Sequence, residues 1–291
     1  MKAETSGNEE LSDLFRRALN YDRAGDLYMA IKLYKKLIRL APEWSRPYRR
    51  LGSIYKDRAE WKPSFYYNRC ATERNPKDLK AWQNLAIAAT ALKKWKEART
   101  AWNQLGFDFR ETNRALDLDL GAIAICLHSG PTSEVVWGRR IDPARAIIES
   151  VPHPDSGYGY GDLVLVDNVV VGHLVRQGKK IPVFDELQRI KKGDYQTFSV
   201  MLHTSQLADI DLLAGLCRQE AIGFDNWSMA SRHLPAPVYR GRMEFHPPPT
   251  EEASDGYVVG LAAGSRRELL QVLRNWKVIT LQSFSELQRH S

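Results

Sequence analysis

Three stretches of this chain superpose at a spacing of 34 residues, beginning at Leu11, Ser45 and Leu79. A fixed period of that size constrains the fold more than any other feature, because each unit must bury its apolar face against its neighbours rather than within itself. The fourth place holds a large residue (Leu14, Tyr48, Trp82), the eighth a small one (Ala18, Gly52, Ala86), and the eleventh Tyr21, Tyr55 and Ala89. Small residues return at Ala30, Ser64 and Ala98; four places later stand Tyr34, Asn68 and Trp102. Pro42 and Pro76 close the first two units. The first third of the chain is therefore expected to be a helical repeat array.

The pattern resembles the tetratricopeptide repeat over about residues 11–107. The resemblance implies an all-α solenoid of three antiparallel helix pairs, with the first helix of each pair lining a concave groove that takes a peptide. The small residues of the eighth and twentieth places would then sit where paired helices cross closely. Asn68 departs from the aromatic expected at its place, and Arg17 stands where Leu is usual. Residues 1–10, rich in Ser, Gly, Asn and Glu, are expected to form a flexible leader. Relatives that clamp the C-terminal carboxylate of chaperones do so from places that hold Phe15, Leu19, Arg50, Lys80 and Asn84 here, and of these Lys80 alone matches. The expectation is an extended acidic segment rather than a clamped chain end.

Charge supports that expectation. The formal net charge is +7, yet residues 1–110 hold 23 Lys and Arg against 13 Asp and Glu, whereas the remaining 181 residues hold 19 against 22. The basic character belongs to the array. Groove-facing places of the first helices carry Arg16, Arg23, Arg46, Arg49, Arg50, Lys56 and Lys80, with Leu19, Ser53, Asn84 and Ile87 shaping the floor. Arg46, Arg49, Arg50 and Lys80 are the expected charge contacts of an anionic partner. Lys32, Lys35, Lys36, Lys93, Lys94 and Lys96 fall on outer faces, where cations are ordinary solvated side chains.

After Phe107 the helical period gives way to short apolar runs bounded by Gly, Pro, Asp and Ser, the mark of strands and turns. Residues 111–192 are expected to form a small β meander or half-barrel. Its strands would be Ala122 to Leu127, Val135 to Arg139, Asp162 to Asp167, Val169 to Leu174 and Ile181 to Phe184, with turns at Asp167-Asn168 and Gln177-Gly178. A short helix is expected from Asp142 to Ser150, opened by Asp-Pro. Residues 193–291 repeat a strand, helix, strand order. Thr197 to His203, Ser205 to Glu220 and Ile222 to Trp227 come first; Tyr257 to Ala263, Ser265 to Trp276 and Val278 to Phe284 follow. That order is ferredoxin-like, a split βαβ arrangement. The linking stretch Met229 to Pro249 holds one strand candidate, Arg242 to Phe245.

Catalytic constellations are weak. No Gly-x-Ser-x-Gly is present, and Gly264-Ser265 with Glu268 reads as a helix cap. The glycines of Gly157 to Gly161 precede a strand, whereas a phosphate loop precedes a helix. His128, His153, His173, His203, His233 and His246 are scattered singly, so no metal and no cofactor are expected. Two polar and aromatic knots stand out, Trp137, Arg139, Arg140 and Asp142 in one, Asp225, Trp227 and Arg232 in the other. Each is either a recognition patch or a structural Arg–carboxylate pairing. Cys70, Cys126 and Cys217 are far apart, and no run is long enough to span a membrane, so a cytoplasmic chain without a membrane partner is expected. The function these features favour is an intracellular adaptor or scaffold that recruits an acidic protein or peptide through the repeats. An enzyme with its active site in the α+β region is the alternative. An RNA-associated protein is the weaker one, because the sheet region lacks the Lys/Arg-Gly-Phe-x-Phe run that stacks bases and is slightly acidic.

Overall fold

The computed structural model describes residues 2–129, 132–176, 179–228, 233–235, 243–245 and 256–290. The chain divides into two compact units, Met1–Leu116 and Asp117–Ser291.

The first unit is six helices, α1 (Lys2–Arg23), α2 (Leu27–Leu40), α3 (Ser45–Asp57), α4 (Trp61–Arg74), α5 (Leu79–Ala91) and α6 (Trp95–Asn103). They fit a tetratricopeptide-like solenoid of helix pairs. The period is written into the backbone: the second helices start at Leu27, Trp61 and Trp95, and the turns before them place Gly25, Ala59 and Lys93 at φ of 81°, 53° and 58°. Each of those three residues adopts the left-handed conformation that reverses the chain within a tight turn. Residues 2–10, expected to be a leader, belong to α1 instead. No proline lies between Lys2 and Arg23, so nothing in the backbone stops the helix extending backwards.

The crossings explain the small residues. Ala18 and Ala30 are fully buried, as is Ala86 opposite the nearly buried Ala98. In the middle pair the Ser64 hydroxyl donates to Gly52 O at 2.9 Å, so the helices approach to within one side-chain hydrogen bond. A Cβ on Gly52 would fall on the amide of Asn68. Asn68 is fully buried and donates to Ser64 O at 2.9 Å. Its departure from the aromatic type is thus matched to Gly52: where the eighth place is Ala, the twenty-fourth is the buried ring of Tyr34 or Trp102.

Beyond α6 the chain turns back along that helix. Phe107 packs edge-on against Trp102, Phe109 stacks on Phe107, and the Asn103 amide both donates to Phe109 O and accepts from Phe109 N, at 2.9 and 2.8 Å. The Arg99 guanidinium donates to the carbonyls of Arg110 and Arg114, at 3.0 Å each. Residues 107–114 therefore cover the exposed end of the last repeat, where a fourth unit would otherwise be needed.

The second unit begins with β1 (Ala122–Ser129), β2 (Thr132–Asp142), β3 (Arg145–Ile148), β4 (Leu163–Arg176) and β5 (Lys179–Lys191). Successive strands pair antiparallel, and β1 pairs in parallel with β5 as well, so the five close into a ring. Ile123, Ile125 and Leu127 point to one core with Ala146, Ile148, Val164 and Val166, while Ala124 and Cys126 join Val135 and Val183 in another. Burial on both faces accounts for an unbroken apolar run rather than an alternating one. The helix expected from Asp142 to Ser150 is instead a hairpin leading into β3. The Asp142 carboxylate accepts from the backbone N–H of Ala144 and Arg145, at 2.8 and 2.7 Å, which closes a turn in place of capping a helix. The turn expected at Asp167-Asn168 is a register shift within a continuous β4. The one at Gln177-Gly178 lies outside the described residues.

The remaining elements are β6 (Gln196–His203), α7 (Leu207–Gln219), β7 (Gly223–Asn226), β8 (His233–Pro235), β9 (Met243–Phe245), β10 (Tyr257–Ala263), α8 (Arg266–Thr280) and β11 (Ser283–Arg289). A four-stranded antiparallel sheet runs β11-β6-β10-β7. Its core gathers Phe198, Leu202, Leu213, Val259, Leu261, Leu273 and Trp276 from the sheet, α7 and α8. The strand expected from Val278 starts later, because α8 continues to Thr280. β8 and β9 pair with β2 and β4 of the first sheet, so the stretch between β7 and β10 crosses back to it.

The Gly52 and Asn68 pairing is testable. Gly52→Ala should destabilise the chain by about 1–3 kcal/mol in urea unfolding through overpacking, although Ala is the better helix former by about 1 kcal/mol. Asn68→Ser should remove most of that penalty. Equal effects of Gly52→Ala in both backgrounds would show that the two do not compete for space.

Candidate functional site

α1, α3 and α5 share a face held together by polar ties. Arg50 on α3 pairs with Asp22 on α1 at 3.8 Å, and Arg49 pairs with Asp78, just before α5, at 2.8 Å. Asn84 Nδ2 on α5 donates to Ser53 Oγ on α3 at 2.9 Å. Asp78 has a second task, accepting from Ala81 N as the N-cap of α5. Asp22 likewise accepts from the Tyr34 hydroxyl of α2 at 3.1 Å. Asp22 and Asp78 are the residues that charge counting along the groove overlooks. For Asp78 the signal was present, an Asp three residues before Ala81 at a helix start.

The expected groove residues therefore fall into different environments. Arg49 and Arg50 are half-buried and ion-paired. Arg16 is exposed and pairs with Asp13 on its own helix. Lys56 is buried beside Asp57, and Ile87 is fully buried beneath the face. Leu19 and Ser53 are half-buried, and Asn84 is buried with its amide engaged. Arg23, Arg46 and Lys80 are exposed and make no ion pair among the described residues. The candidates on α1, α3 and α5 thus divide into paired or buried side chains and exposed cations, Arg46 of α3 and Lys80 of α5 among the latter.

Burial and the adjacent Asp22 carboxylate both push the Tyr34 phenol well above its ordinary value, with Arg50 opposing them. A raised acid favours the folded state while protonated. This contribution is complete below the unfolded phenol's pKa near 10.0 and is lost as pH rises above it. Thermal melts of the Tyr34→Phe chain should accordingly lose less stability between neutral pH and strong alkali than those of the native chain. An unchanged slope would show that Tyr34 ionises as freely folded as unfolded.

In the second unit the two polar knots serve structure and meet through residues 149–151. Arg139 pairs with Glu149 at 2.9 Å, and Trp137 N donates to Ser150 Oγ at 2.9 Å. Asp225 accepts from Val151 N at 2.6 Å while the Trp227 indole donates to Val151 O at 2.9 Å. One peptide segment is thereby gripped through both its donor and its acceptor, fastening β7 to the five-stranded ring. A Cβ on Gly260 would fall within the Trp227 indole, which explains a glycine inside β10. Arg140 lies over the Phe184 ring at 4.9 Å, where burial lowers its pKa against the pull of Asp142. Asp142 is buried with Arg145. Arg232 lies outside the described residues. Trp227→Phe should cost about 1 kcal/mol in urea unfolding; no change would show that the indole N–H is dispensable to the join.

Among the described residues no group of three or more His, Cys, Asp and Glu is placed to hold a metal ion, and no helix is long and apolar enough to cross a membrane. Cys70, Cys126 and Cys217 are each buried and form no disulfide. Burial alone raises the Cys217 thiol to about 12.

No protein-family model and no curated protein matches the chain. Solved structures similar to it align with its N-terminal third. The first tetratricopeptide domain of Spaghetti (RPAP3), bound to an HSP90 peptide, shares 21% identity at a TM-score of 0.32, over 33% of this chain and 77% of that one. The TPR2B domain of yeast Sti1, in complex with an Hsp70 peptide, shares 21% at 0.31 with the same coverage. The Yersinia enterocolitica type III secretion translocator chaperone SycD shares 18% at 0.31, over 33% of this chain and 73% of that one.

Proposed function

We propose that residues 11–107 are a tetratricopeptide repeat array whose α1, α3 and α5 face binds an extended acidic segment of a protein partner, and that the chain acts as an intracellular, cytoplasmic adaptor or scaffold. The observation that carries this reading is the contrast on one face between Arg49 and Arg50, held by Asp78 and Asp22, and Arg46 and Lys80, which are exposed and unengaged among the described residues. The paired arginines keep the three first helices in register. The exposed pair is free to meet a carboxylate, and the Ser53–Asn84 hydrogen bond supplies a polar floor between them. In this reading the site residues are Arg46 and Lys80 as contacts, Leu19, Ser53 and Asn84 as floor, with Arg16, Arg49, Arg50 and the buried Ile87 as support. The second unit adds a domain whose four-stranded sheet, with β10 between β6 and β7, supports a ferredoxin-like reading.

The test uses a fluorescent oligoglutamate peptide and the full chain. Arg46→Glu with Lys80→Glu should reduce affinity at least tenfold, since each exposed carboxylate contact contributes up to about 1 kcal/mol and reversal adds repulsion. Far-UV circular dichroism should not change. Affinity of the native chain should fall steeply with salt, because exposed charges are screened beyond about 8 Å at physiological ionic strength. Reversal at Arg49 and Arg50 should instead lower the melting temperature, since it breaks the ties to Asp78 and Asp22. Undiminished peptide affinity in a folded Arg46→Glu, Lys80→Glu chain would eliminate this face as the binding site.

A further inference from the structure

α8 carries a feature that the packing of the second unit does not use. Leu269, Val272, Leu273 and Trp276 bury one face of the helix, and the Trp276 indole donates to Asp209 O of α7 at 2.7 Å. The opposite face holds Arg267, Gln271, Arg274 and Val278, all exposed. At the last turn three large apolar side chains stand in solvent: Val278 is 73% exposed, Ile279 59% and Leu281 88%.

Leu281 is the informative residue. It occupies the position after the helix end at φ 60° and ψ 13°, the left-handed region that favours glycine. A leucine there is unfavourable in backbone conformation as well as in exposure, and neither folding nor packing requires it. The turn that carries it is closed by hydrogen bonds: Leu281 N donates to Lys277 O at 3.0 Å, the Thr280 hydroxyl donates to Trp276 O at 2.8 Å, and Gln282 N donates back to that hydroxyl at 3.2 Å. The leucine thus projects into solvent from a hydrogen-bonded helix end.

The charge around the tip selects its occupant. Arg274 and Lys277 are the charges of the last two turns of α8, while Glu268, the one acid of the helix, lies with Arg266 and Arg267 in the first turn. A second copy of the chain would set this cationic surface against itself. A folded protein would need a complementary interface of about 800 Å² per partner, which three side chains on a protruding turn do not supply. A lipid surface deforms around a small tip and needs no shape match, and anionic headgroups satisfy the cations beside it.

We propose that the C-terminal tip of α8 is a contact site for an anionic bilayer. Val278, Ile279 and Leu281 enter the boundary between headgroups and acyl chains, while Arg274 and Lys277, in the last two turns of the helix, meet lipid phosphates. A surface contact of this kind requires no membrane span, so it stands beside the lack of any spanning helix among the described residues. It belongs to the second unit, whereas the array face belongs to the first.

The experiment is flotation of the full chain with vesicles of pure phosphatidylcholine and of phosphatidylcholine mixed with phosphatidylglycerol. Because the array is basic, the Arg46→Glu, Lys80→Glu chain is measured in parallel, and binding to mixed vesicles should persist in it. Leu281→Gly should lower partitioning to mixed vesicles about tenfold, the effect of losing one buried leucine, while its melting temperature holds or rises. Val278→Ser should act in the same direction, and Arg274→Glu with Lys277→Glu should bring binding to the level of pure phosphatidylcholine. The proposal is overturned if the native chain does not float with mixed vesicles. It is equally overturned if Leu281→Gly and Val278→Ser float as the native chain does, or if Leu281→Gly converts a dimer to a monomer, which would make the tip a contact between copies.

Discussion

The close approach of paired helices at the eighth and twentieth places is the constraint on which the first unit depends. Wherever the two backbones near one another, a side chain on one must be small or must double as a bond to the other. Ala18 with Ala30 and Ala86 with Ala98 take the first solution, and Gly52 with Ser64 takes the second. The distance so imposed fixes where the second helix can begin, and hence the recurrence of a left-handed turn residue at Gly25, Ala59 and Lys93. Alanine and lysine adopt that conformation at some cost, which the repeated crossing overrides. The same geometry aligns α1, α3 and α5, so their cations and carboxylates come to lie across from one another.

That alignment changes what a count of cations along the groove means. A sum over α1, α3 and α5 describes the field at a distance, whereas recognition depends on which charges are still unsatisfied at contact. Arg49 and Arg50 occupy places as groove-facing as Arg46, yet Asp78 and Asp22 reach them from neighbouring helices. Half-buried pairs of this sort are screened less than exposed ones, so they resist displacement and act as ties between repeats.

The array was legible because its information is periodic, and a period averages over local exceptions such as Asn68 and Arg17. The ring of β1 to β5 was legible only as strands in a bent unit, since its closure rests on β1 pairing in parallel with β5, a contact between segments about sixty residues apart that leaves no local pattern. Asp142-Pro143 shows how one local signal serves two structures: an Asp whose carboxylate accepts backbone N–H groups can start a helix or close a hairpin. The choice falls to the buried residues that follow, Ala146 and Ile148 alternating into the ring. β9 falls within the Arg242 to Phe245 candidate, whereas β8 escaped, being a three-residue strand whose partner belongs to the other sheet. Of the candidate sites, residue types could be read, but the pairing of Asp22 with Arg50 and of Asp78 with Arg49, and the join at Val151, could not, because each depends on a partner from a distant helix or strand.

The second unit uses its polar residues in the way this argues. A buried peptide group must be hydrogen-bonded, and Val151, fully buried between the ring and β7, receives a carboxylate on its N–H and an indole on its carbonyl. Two such bonds require Asp225 on β7 and Trp227 just after it at one separation, and an unobstructed path for the indole, which Gly260 provides. Residues that look like a recognition patch in sequence are thus consumed by a join. Leu281 is the reverse case: its backbone N–H caps the helix, but its side chain carries no polar group, stands 88% exposed, and sits on a backbone conformation that leucine disfavours. A polar cluster that is fully satisfied is explained by the fold; a large apolar side chain projected into water is not, and a binding role belongs to the second kind of residue before the first.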